Sequence, residues 1–442
     1  MSNASTNLSV LAGGQTTGGA YFVSNYPPFS FWRRENVGDV LSVLDSAPDS
    51  DNPLGIYAHI PFCRKRCHFC YFKVYTDRNA AQIREYIDAM ISELTLYAAQ
   101  PFIAGRKPKF VYFGGGTPSY LSAEQLRDLT DRMKAILPWD EAEEVTFECE
   151  PGTLNEKKLQ AIRDMGVTRL SLGVEHFDED ILKNNGRAHG AKEIPRAYEF
   201  ARSVAFDQIN IDLIAGMVGE TDATWDDAVA KAIALEPDSV TIYQMEIPFN
   251  TTIYHDMKDK GKAIAPVADW ETKRNWLDRA FDAFVAAGYE VSSAYTVVKS
   301  REKTRFVYRD ALWTGADMVP VGVSSFGKLG PTHVQSEKDI PPYLEALSEN
   351  RLPLRRALTM TQEERFIREF ILQMKLGRVD VRYFKSKFGQ DVTQRFAAQF
   401  EELKEIGWVS GMNGDIQLSR QGLLRVDAFL PAFFLPQHRD QG

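Results

Sequence analysis

Cysteine is scarce in this chain, and most of it lies in one place. Only four cysteines occur in 442 residues, and three of them, Cys63, Cys67 and Cys70, fall within eight positions. Cysteines distributed in this way cannot form the disulfide framework of a small secreted protein. We therefore expect a reducing compartment and a special role for the clustered thiols.

Long apolar runs and a basic charge balance are also missing. No uninterrupted hydrophobic stretch reaches the length of about 20 residues that spans a bilayer, and the first residues lack a signal-peptide pattern. The formal net charge is −8, which argues against a general nucleic-acid binder. We therefore expect a soluble cytoplasmic protein with no membrane span and no nucleic-acid partner.

The three clustered cysteines have the spacing Cys-x3-Cys-x2-Cys on a segment that follows a strand-like run. Thiolates are the usual ligands of iron–sulfur clusters, and three of them can bind three irons of a cubane. The fourth iron would then stay open to a cofactor or substrate. Two alternatives remain: buried structural thiols, or a zinc site completed by His68. Zinc sites usually pair two such knuckles, and the chain has one.

The middle of the chain alternates short β-branched or aromatic runs with helical segments, which predicts repeated βαβ units and a parallel sheet. Ligands of such sheets bind at the carboxyl ends of the strands. Strands are predicted over 55–60, 109–114, 144–150, 168–174, 208–214 and 239–244. Helices are predicted near 82–100, 122–136, 154–164, 191–205, 222–234 and 270–287. Farther along, apolar residues at helical spacing predict a helix over 361–375, with Thr361 as its N-cap and Glu364 three residues later. A short helix near 381–388, a longer one over 390–406 and a hairpin with a glycine turn over 408–422 are predicted after it.

Several of these strands end in chemistry-bearing residues. The second leads into a Gly-Gly-Gly-Thr turn, where the bare backbone can approach a ligand closely. Period-two alternation places Glu148 on one face of the third strand and Cys149 on the other, so Cys149 is expected to be a buried structural thiol. The same alternation puts Asn210 and Asp212 on one face of the fifth strand. Glu148 could also be a solvated strand-end charge.

The cysteine spacing, the preceding His-Ile-Pro-Phe-Cys run, the glycine turn and the Asn-Ile-Asp-Leu-Ile run resemble one family in the same order. That family is the oxygen-independent coproporphyrinogen III oxidase-like branch of the radical S-adenosylmethionine (SAM) superfamily, which includes heme chaperones and class C methyltransferases. The resemblance implies an α/β fold with a partial (βα)6 TIM-like barrel, an N-terminal arm and a C-terminal helical, winged-helix-like domain. The implied boundaries are 20–54 (arm), 55–295 (barrel), 296–357 (substrate-cavity segment) and 358–442 (C-terminal domain). Residues 1–19 are rich in Ser, Thr, Asn and Gly, a composition that predicts disorder.

The resemblance also implies site residues and cofactors. A 4Fe-4S cluster would be held by the catalytic cysteines Cys63, Cys67 and Cys70. One SAM molecule, or two, would be bound by Tyr57, Phe69, Gly115, Gly116, Thr117, Glu148, Glu175, Arg187, Asp212 and Met245. Glu175 stands where relatives usually have Gln, and Arg187 could instead be a helix-surface arginine. A carboxylate cannot donate a hydrogen bond unless it is protonated, so Glu175 changes that contact.

The implied activity is that of a radical SAM oxidoreductase. SAM would be cleaved reductively to a 5′-deoxyadenosyl radical that abstracts hydrogen from a porphyrin-type substrate in an oxidative decarboxylation. A flavodoxin or ferredoxin would supply the electron, and heme or porphyrin biosynthesis would be the context. Phe72 replaces a cysteine of the oxidases, and the run Tyr243–Ile247 also differs from theirs. Both departures favour the alternatives: a methyltransferase acting on an aromatic or heterocyclic acceptor, a heme chaperone, or a heme-degrading paralogue.

Overall fold

The computed structural model describes residues 14–19, 22–49, 51–412 and 414–439. The chain forms two compact units. The first, called here the cysteine unit, comprises Phe31–Asp212 and Thr304–Met360. The second, called the terminal unit, comprises the described parts of Met1–Ser30, Leu213–Lys303 and Thr361–Gly442. The domain boundaries expected from the sequence stay a prediction.

The predicted alternation of strands and helices is present. In chain order the elements are α1 (Val37–Leu44), β1 (Leu54–Ile60), α2 (Ala80–Ala98), β2 (Pro108–Gly115), α3 (Ala123–Ile136), β3 (Glu144–Cys149), α4 (Glu156–Asp164), β4 (Arg169–Glu175), α5 (Glu179–Asn184), α6 (Glu193–Val204), β5 (Gln208–Ala215), α7 (Asp222–Ala234) and β6 (Ser239–Gln244). All six strands and the first five helices predicted there are found within a few residues of their expected bounds, and α5 was not foreseen. Capping boxes start α2 at Asn79 and α3 at Ser122, which satisfies backbone N–H groups that would otherwise be orphaned.

The remaining elements complete both units. They are α8 (Thr252–Asp259), α9 (Trp270–Ala286), β7 (Glu290–Val291), β8 (Thr296–Val298), α10 (Val307–Trp313), β9 (Asp317–Val321), β10 (Phe326–Leu329), β11 (Thr332–Ser336), α11 (Ile340–Ser348), β12 (Leu354–Thr359), α12 (Gln362–Met374), β13 (Arg378–Asp380), α13 (Val381–Phe388), α14 (Val392–Arg395), α15 (Ala397–Glu405), β14 (Val409–Gly411), β15 (Asp415–Leu418), α16 (Arg420–Leu423) and α17 (Val426–Phe429).

The sheet of the cysteine unit has a parallel centre. Its strand order is β12-β11-β10-β9-β1-β2-β3-β4. The pairs β9–β1, β1–β2, β2–β3 and β3–β4 are parallel, and β10 to β12 extend the sheet with antiparallel pairs. The carboxyl ends of β1 to β4 therefore meet at one edge, which brings the loops after them together. The predicted α/β class with a parallel sheet is confirmed.

The terminal unit contains the predicted helical C-terminal region. Thr361 caps α12 and Glu364 completes the capping box, as the sequence predicts. The antiparallel β14–β15 pair matches the predicted hairpin. The single helix expected over 390–406 is wrong, because the backbone leaves helical geometry at Phe396 between α14 and α15. Phe396 is buried against Phe366 and Phe370, so tertiary packing overrides the helical pattern there.

Part of the N-terminal segment expected to be disordered is ordered. Residues 1–13 lie outside the described residues, but Thr16 is buried and its Oγ1 accepts a hydrogen bond from Lys273 Nζ at 2.8 Å. The backbone N–H of Gly19 donates to the carbonyl of Ile247 at 2.8 Å. Polar composition alone misses this, because the partners lie more than 200 positions away. No helix among the described residues is long and apolar enough to cross a membrane.

A buried carboxyl group connects α2 to the loop after β9. Glu93 is 0% exposed, and its Oε2 accepts hydrogen bonds from the Gly322 N–H and the Tyr343 hydroxyl, both at 2.6 Å. Its Oε1 has no hydrogen-bond partner among the described residues. Burial raises the pKa of Glu93 to about 8, so the folded protein holds this proton at neutral pH.

This proton predicts a pH-dependent stability. Between the ordinary glutamate pKa and about 8, the folded chain retains a proton that the unfolded chain loses. Raising the pH through this window should therefore lower the free energy of unfolding by up to about 1.4 kcal/mol per pH unit. Glu93→Gln should make that slope shallower in urea titrations at several pH values, because it removes the contribution of Glu93. Glu85→Gln, at an exposed position of α2, should keep it. Parallel curves for wild type and Glu93→Gln would contradict the assignment.

Candidate functional site: the cysteine loop and its surroundings

The cysteine loop (residues 61–75) leaves the carboxyl end of β1, where the sequence predicts a site. Cys63 is buried, Cys67 and Cys70 are half-buried, and all are free thiols. Burial raises the pKa of Cys63 to about 12 and that of Cys70 to about 11, and Cys67 adds an electrostatic contribution to both. The three sulfurs therefore lie within electrostatic range of one another.

Hydrogen-bond donors are aimed at two of the sulfurs. The Thr117 hydroxyl donates to Cys63 Sγ at 3.3 Å, and Arg187 Nη1 donates to Cys67 Sγ at 3.3 Å. Donors of this kind stabilise thiolates, the form that binds iron. Among the described residues, no group of three or more His, Cys, Asp or Glu side chains could hold a metal ion. A cubane cluster does not require its protein ligands to meet at a single metal ion, because each thiolate binds a different iron. The residues present fit the cluster.

The zinc alternative finds no support, because a zinc ion needs ligands that converge on one point and no such group of side chains occurs among the described residues. His68 instead anchors the loop. Its Nδ1 forms a hydrogen bond with the carbonyl of Asn184 at 3.0 Å, and its backbone N–H donates to the carbonyl of Asn185 at 3.0 Å. The imidazole is thus engaged in holding the loop. Cys149 is buried at the end of β3, as the strand alternation predicts.

The glycine turn after β2 is tied to the cysteine loop by its backbone. The Gly116 N–H donates to the Ile60 carbonyl and the Thr117 N–H to the Phe62 carbonyl, both at 2.8 Å. Gly115 has a φ of +113°, and a Cβ there would lie 2.6 Å from the His59 ring. Glycine is needed at Gly115 for both its conformation and this close approach.

Three predicted carboxylates form a cluster: Glu148, Glu175 and Asp212. Burial raises the pKa of Glu148 and of Glu175 to about 7 and that of Asp212 to about 6. The charge of Asp212 further raises the pKa of the other two, so the groups repel one another when ionised. Such a cluster attracts a cationic ligand.

Each carboxylate has polar support. Glu148 accepts hydrogen bonds from the Tyr112 hydroxyl at 2.6 Å and the Gly115 N–H at 3.1 Å. Asp212 accepts from the Ser171 hydroxyl at 2.8 Å and from Asn210 Nδ2 at 2.9 Å. The predicted face of Asn210 and Asp212 on β5 is therefore confirmed.

Arg187 lies between the cysteine loop and the carboxylate cluster. Besides Cys67, its guanidinium contacts Glu175 at 3.6 Å and donates to the Gly173 carbonyl at 2.5 Å. Its side chain is only 10% exposed, so it is not the surface arginine of the alternative interpretation. The Arg187 Nε is buried without a hydrogen-bond partner among the described residues. Glu175 itself has a φ of 66°, a conformation that is rare for a residue with a side chain.

Aromatic rings form a row beside these groups. The rings follow one another at centroid distances of 6.5, 5.9, 5.9 and 4.3 Å. The aromatic row consists of Phe72, His59, Tyr57, Tyr112 and Tyr308. Its polar edge includes a hydrogen bond between Tyr57 Oη and His59 Nδ1 at 3.2 Å.

The remaining predicted residues are less closely engaged. Phe69 is a half-buried member of the cysteine loop. Met245 belongs to the terminal unit, where its carbonyl accepts a hydrogen bond from the buried Lys273 at 2.8 Å. All the other predicted cofactor-binding residues lie in the cysteine unit.

Sequence reasoning missed several residues around the loop. The sequence pattern predicts Tyr112 only as a strand residue, whereas its hydroxyl donates a hydrogen bond to Glu148. Arg64 and His189 both contact Glu150. The alternation in β3 places Glu150 on the face of Glu148, but its partners come from distant segments and carry no local signal.

Comparison with known proteins defines the class. Residues 57–232 match the radical SAM superfamily. The structure of coproporphyrinogen III oxidase (HemN) from Escherichia coli, described as a radical SAM enzyme, superposes with a TM-score of 0.80 at 22% identity. That match covers 95% of this chain and 99% of HemN. The family match therefore lies in residues 57–232, and the superposition shows that the chain shares the fold of HemN.

Similar sequences carry two names. The heme chaperone HemW of Bacillus subtilis (strain 168) is 28% identical over 383 residues, which cover 85% of this chain and 98% of HemW. The oxygen-independent coproporphyrinogen III oxidase of Helicobacter pylori (strain ATCC 700392 / 26695) is 27% identical over 385 residues. That alignment covers 84% of this chain and 83% of the oxidase. The chain is thus similar over most of its length to proteins of both names.

The glycine turn offers a test of the site geometry. Gly115→Ala should lower the free energy of unfolding by about 1–2 kcal/mol for its positive φ and by about 1–3 kcal/mol more for the contact with His59. Gly105→Ala is the matched control, because Gly105 has a φ of +77° but nothing within 4 Å of its Cβ position. Urea unfolding measures both. Equal losses for the two variants would show that the approach of Gly115 to His59 is wrong.

Proposed function

We propose that this chain is a radical SAM enzyme that acts on a tetrapyrrole, with oxidative decarboxylation of coproporphyrinogen as the leading reaction. The observation that carries the proposal is the placement of three free thiols beside three carboxyl groups whose pKa values burial raises. A reducing cytoplasm and a flavodoxin- or ferredoxin-type electron donor belong to the same proposal.

The chain's own residues would bind and orient the reacting groups. Cys63, Cys67 and Cys70 would hold the 4Fe-4S cluster, with Thr117 and Arg187 stabilising two of the thiolates through the hydrogen bonds already present. When bound and reduced, the cluster would supply the electron for the reductive cleavage of SAM and so the radical chemistry of the reaction.

The carboxylate cluster would bind the cationic end of SAM. SAM carries an ammonium and a sulfonium, whose charges would match Glu148 and Asp212. The exposed backbone at Gly115 and Gly116 would let the methionine part approach closely. Arg187, which contacts both Cys67 and Glu175, would pair with the SAM carboxylate.

The aromatic row supports a planar substrate. Stacked or edge-on aromatic contacts stabilise flat conjugated rings, and the row presents five rings within the same unit as the cysteines. Phe72 is 40% exposed, which leaves its ring available to a ligand. In this proposal the row would pack against a flat tetrapyrrole.

A heme chaperone is the second candidate. The similarity to Bacillus subtilis HemW, which extends over 98% of that protein, favours it. The two candidates predict different results with a porphyrinogen: an oxidase would consume it, whereas a chaperone would bind heme without consuming it.

Cysteine variants test the cluster assignment. After anaerobic reconstitution, wild type should bind iron and sulfide and release 5′-deoxyadenosine from SAM when reduced with dithionite. Cys63→Ala, Cys67→Ala and Cys70→Ala should each lose both properties, because each removes one iron ligand. Cys149→Ala, at a buried thiol of β3, should behave as wild type. Iron binding unaffected by Cys63→Ala would overturn the assignment.

The same preparation separates the substrates. Adding coproporphyrinogen III should increase the amount of 5′-deoxyadenosine formed. The porphyrinogen product should show the mass loss expected from removal of carboxyl groups. S-adenosylhomocysteine would instead identify a methyltransferase. Stoichiometric heme binding without turnover would favour the chaperone.

The carboxylate cluster predicts a pH-dependent affinity for SAM. Because burial raises the pKa of Glu148 to about 7, its carboxylate is largely protonated at pH 6 and ionised at pH 8. SAM should therefore bind about 10-fold more weakly at pH 6 than at pH 8, because the ionised fraction of Glu148 falls from about nine tenths to about one tenth. Glu148→Gln should weaken binding at pH 8 and reduce the pH dependence, leaving the part due to Glu175 and Asp212. Glu143→Gln, at an exposed position before β3, should match wild type in equilibrium titrations. A pH-independent wild-type affinity would contradict the role of the cluster.

A further inference from the structure

The cysteine loop is held in place by side chains that are not themselves ligands. Arg64 directly follows Cys63, and its guanidinium binds both oxygens of Glu150, with Nε–Oε2 at 3.1 Å and Nη2–Oε1 at 2.9 Å. Its Nη2 also donates to the carbonyl of Ala188 at 3.0 Å. A bidentate pair of this kind constrains both distance and orientation.

The acceptor of this pair is itself fixed. Glu150 ends the β3 region, and its Oε1 also accepts a hydrogen bond from the Gly152 N–H at 3.2 Å and contacts His189 Nδ1 at 3.1 Å. His189 has a side chain that is 0% exposed, and its Nε2 lies 3.2 Å from the Val174 carbonyl. The Glu150 backbone N–H donates to Ser119 at 3.0 Å. The carboxylate therefore has little freedom to follow a moving arginine.

A second anchor comes from the segment after α5, residues 184–189, here called the cradle segment. Its carbonyls at Asn184, Asn185 and Ala188 bind the His68 ring, the His68 N–H and Arg64 respectively. Its Arg187 donates to Cys67 Sγ. The loop is thus bound at three successive points, before, at and after its second cysteine.

We propose that Arg64 is a positioning residue that, through Glu150 and the cradle segment, holds the cysteine loop in its ligand-presenting form before a cluster is assembled. The inference rests on the proposed cluster at these cysteines. A free loop of this length would lose conformational entropy on closing around a cluster, and contacts made in advance remove part of that cost. Residues that orient metal ligands act in the same way in other metal sites.

A substitution at Gly152 can separate Arg64 from Glu150 without removing a charge. A Cβ at Gly152 would lie 2.1 Å from Arg64 Nη2 and 2.8 Å from Glu193 Oε1. The guanidinium is the flexible end of a side chain, so Gly152→Ala should displace Arg64 from Glu150 rather than unfold β3. Lys65 is the matched charge control, because it is an exposed cation on the same loop.

The first measurement uses metal-free protein, so it does not depend on turnover. The rate at which iodoacetamide modifies Cys63, Cys67 and Cys70 would be followed by peptide mass spectrometry. Arg64→Met and Gly152→Ala should raise that rate several-fold, because the loop samples open conformations. Arg64→Lys keeps the positive charge but loses the planar guanidinium that pairs with both oxygens of Glu150, so its rate of modification should be intermediate. Lys65→Met should match wild type. Equal rates for Arg64→Met and Lys65→Met would overturn the proposal.

The second measurement follows the reconstituted cluster. Arg64→Met and Gly152→Ala should lose iron to a chelator about 10-fold faster than wild type, the lower end of the effect of residues that orient metal ligands. The electron paramagnetic resonance spectrum of the reduced cluster should broaden, and Arg64→Lys should restore part of the wild-type signal. If Arg64→Met does not fold, Gly152→Ala and Arg64→Lys decide the question. If both variants lose iron as slowly as wild type, the proposed role of Arg64 is refuted. If wild type itself binds no iron, the proposed function is refuted instead.

Discussion

The guanidinium of Arg187 touches both halves of the site, and the arrangement of each depends on it. On one side it donates to the sulfur of Cys67, and on the other it faces Glu175 and the carbonyl of Gly173. Because it is only 10% exposed, its charge is weakly screened and acts on both neighbours. Among the described residues it is the cation that contacts both the cysteine loop and the carboxylate cluster.

The electrostatics of the carboxylate cluster follow from that placement. Burial raises the pKa of Glu148, Glu175 and Asp212, and the charge of Asp212 raises the pKa of the two glutamates further. Arg187 offsets this effect only in part at Glu175 and Asp212. Proteins seldom keep such groups unless a ligand of opposite charge completes them. The same reasoning separates this site from Glu150. Burial raises the pKa of Glu150, but His189 and Arg64 outweigh that effect and lower it to about 2.

The cysteine loop illustrates how a short motif depends on its surroundings. Its thiols are close in sequence, yet burial raises the pKa of Cys63 and Cys70 and so opposes the thiolate form. The hydrogen bond from Thr117 lowers the pKa of Cys63 in part, and Arg187 acts in the same direction on Cys63 and Cys70. Iron itself supplies the rest of the stabilisation when a thiolate becomes a ligand. The glycine turn, through Thr117, and Arg187 therefore both favour the thiolate form of the cysteine loop.

The sequence alone determined the local features of this protein. Strand alternation, helix caps and cysteine spacing are short-range patterns, so β1 to β6, the Thr361 capping box, the buried Cys149 and the shared face of Asn210 and Asp212 could all be predicted. The resemblance to a known family added the candidate cofactor residues. The break at Phe396 and the order of residues 14–19 could not be predicted, because distant partners decide them. Only the tertiary structure joined Arg64 to Glu150 and His189, and Glu93 to Gly322. Such contacts connect residues far apart in the chain, and nothing in the local pattern encodes which distant partner a buried charge will meet.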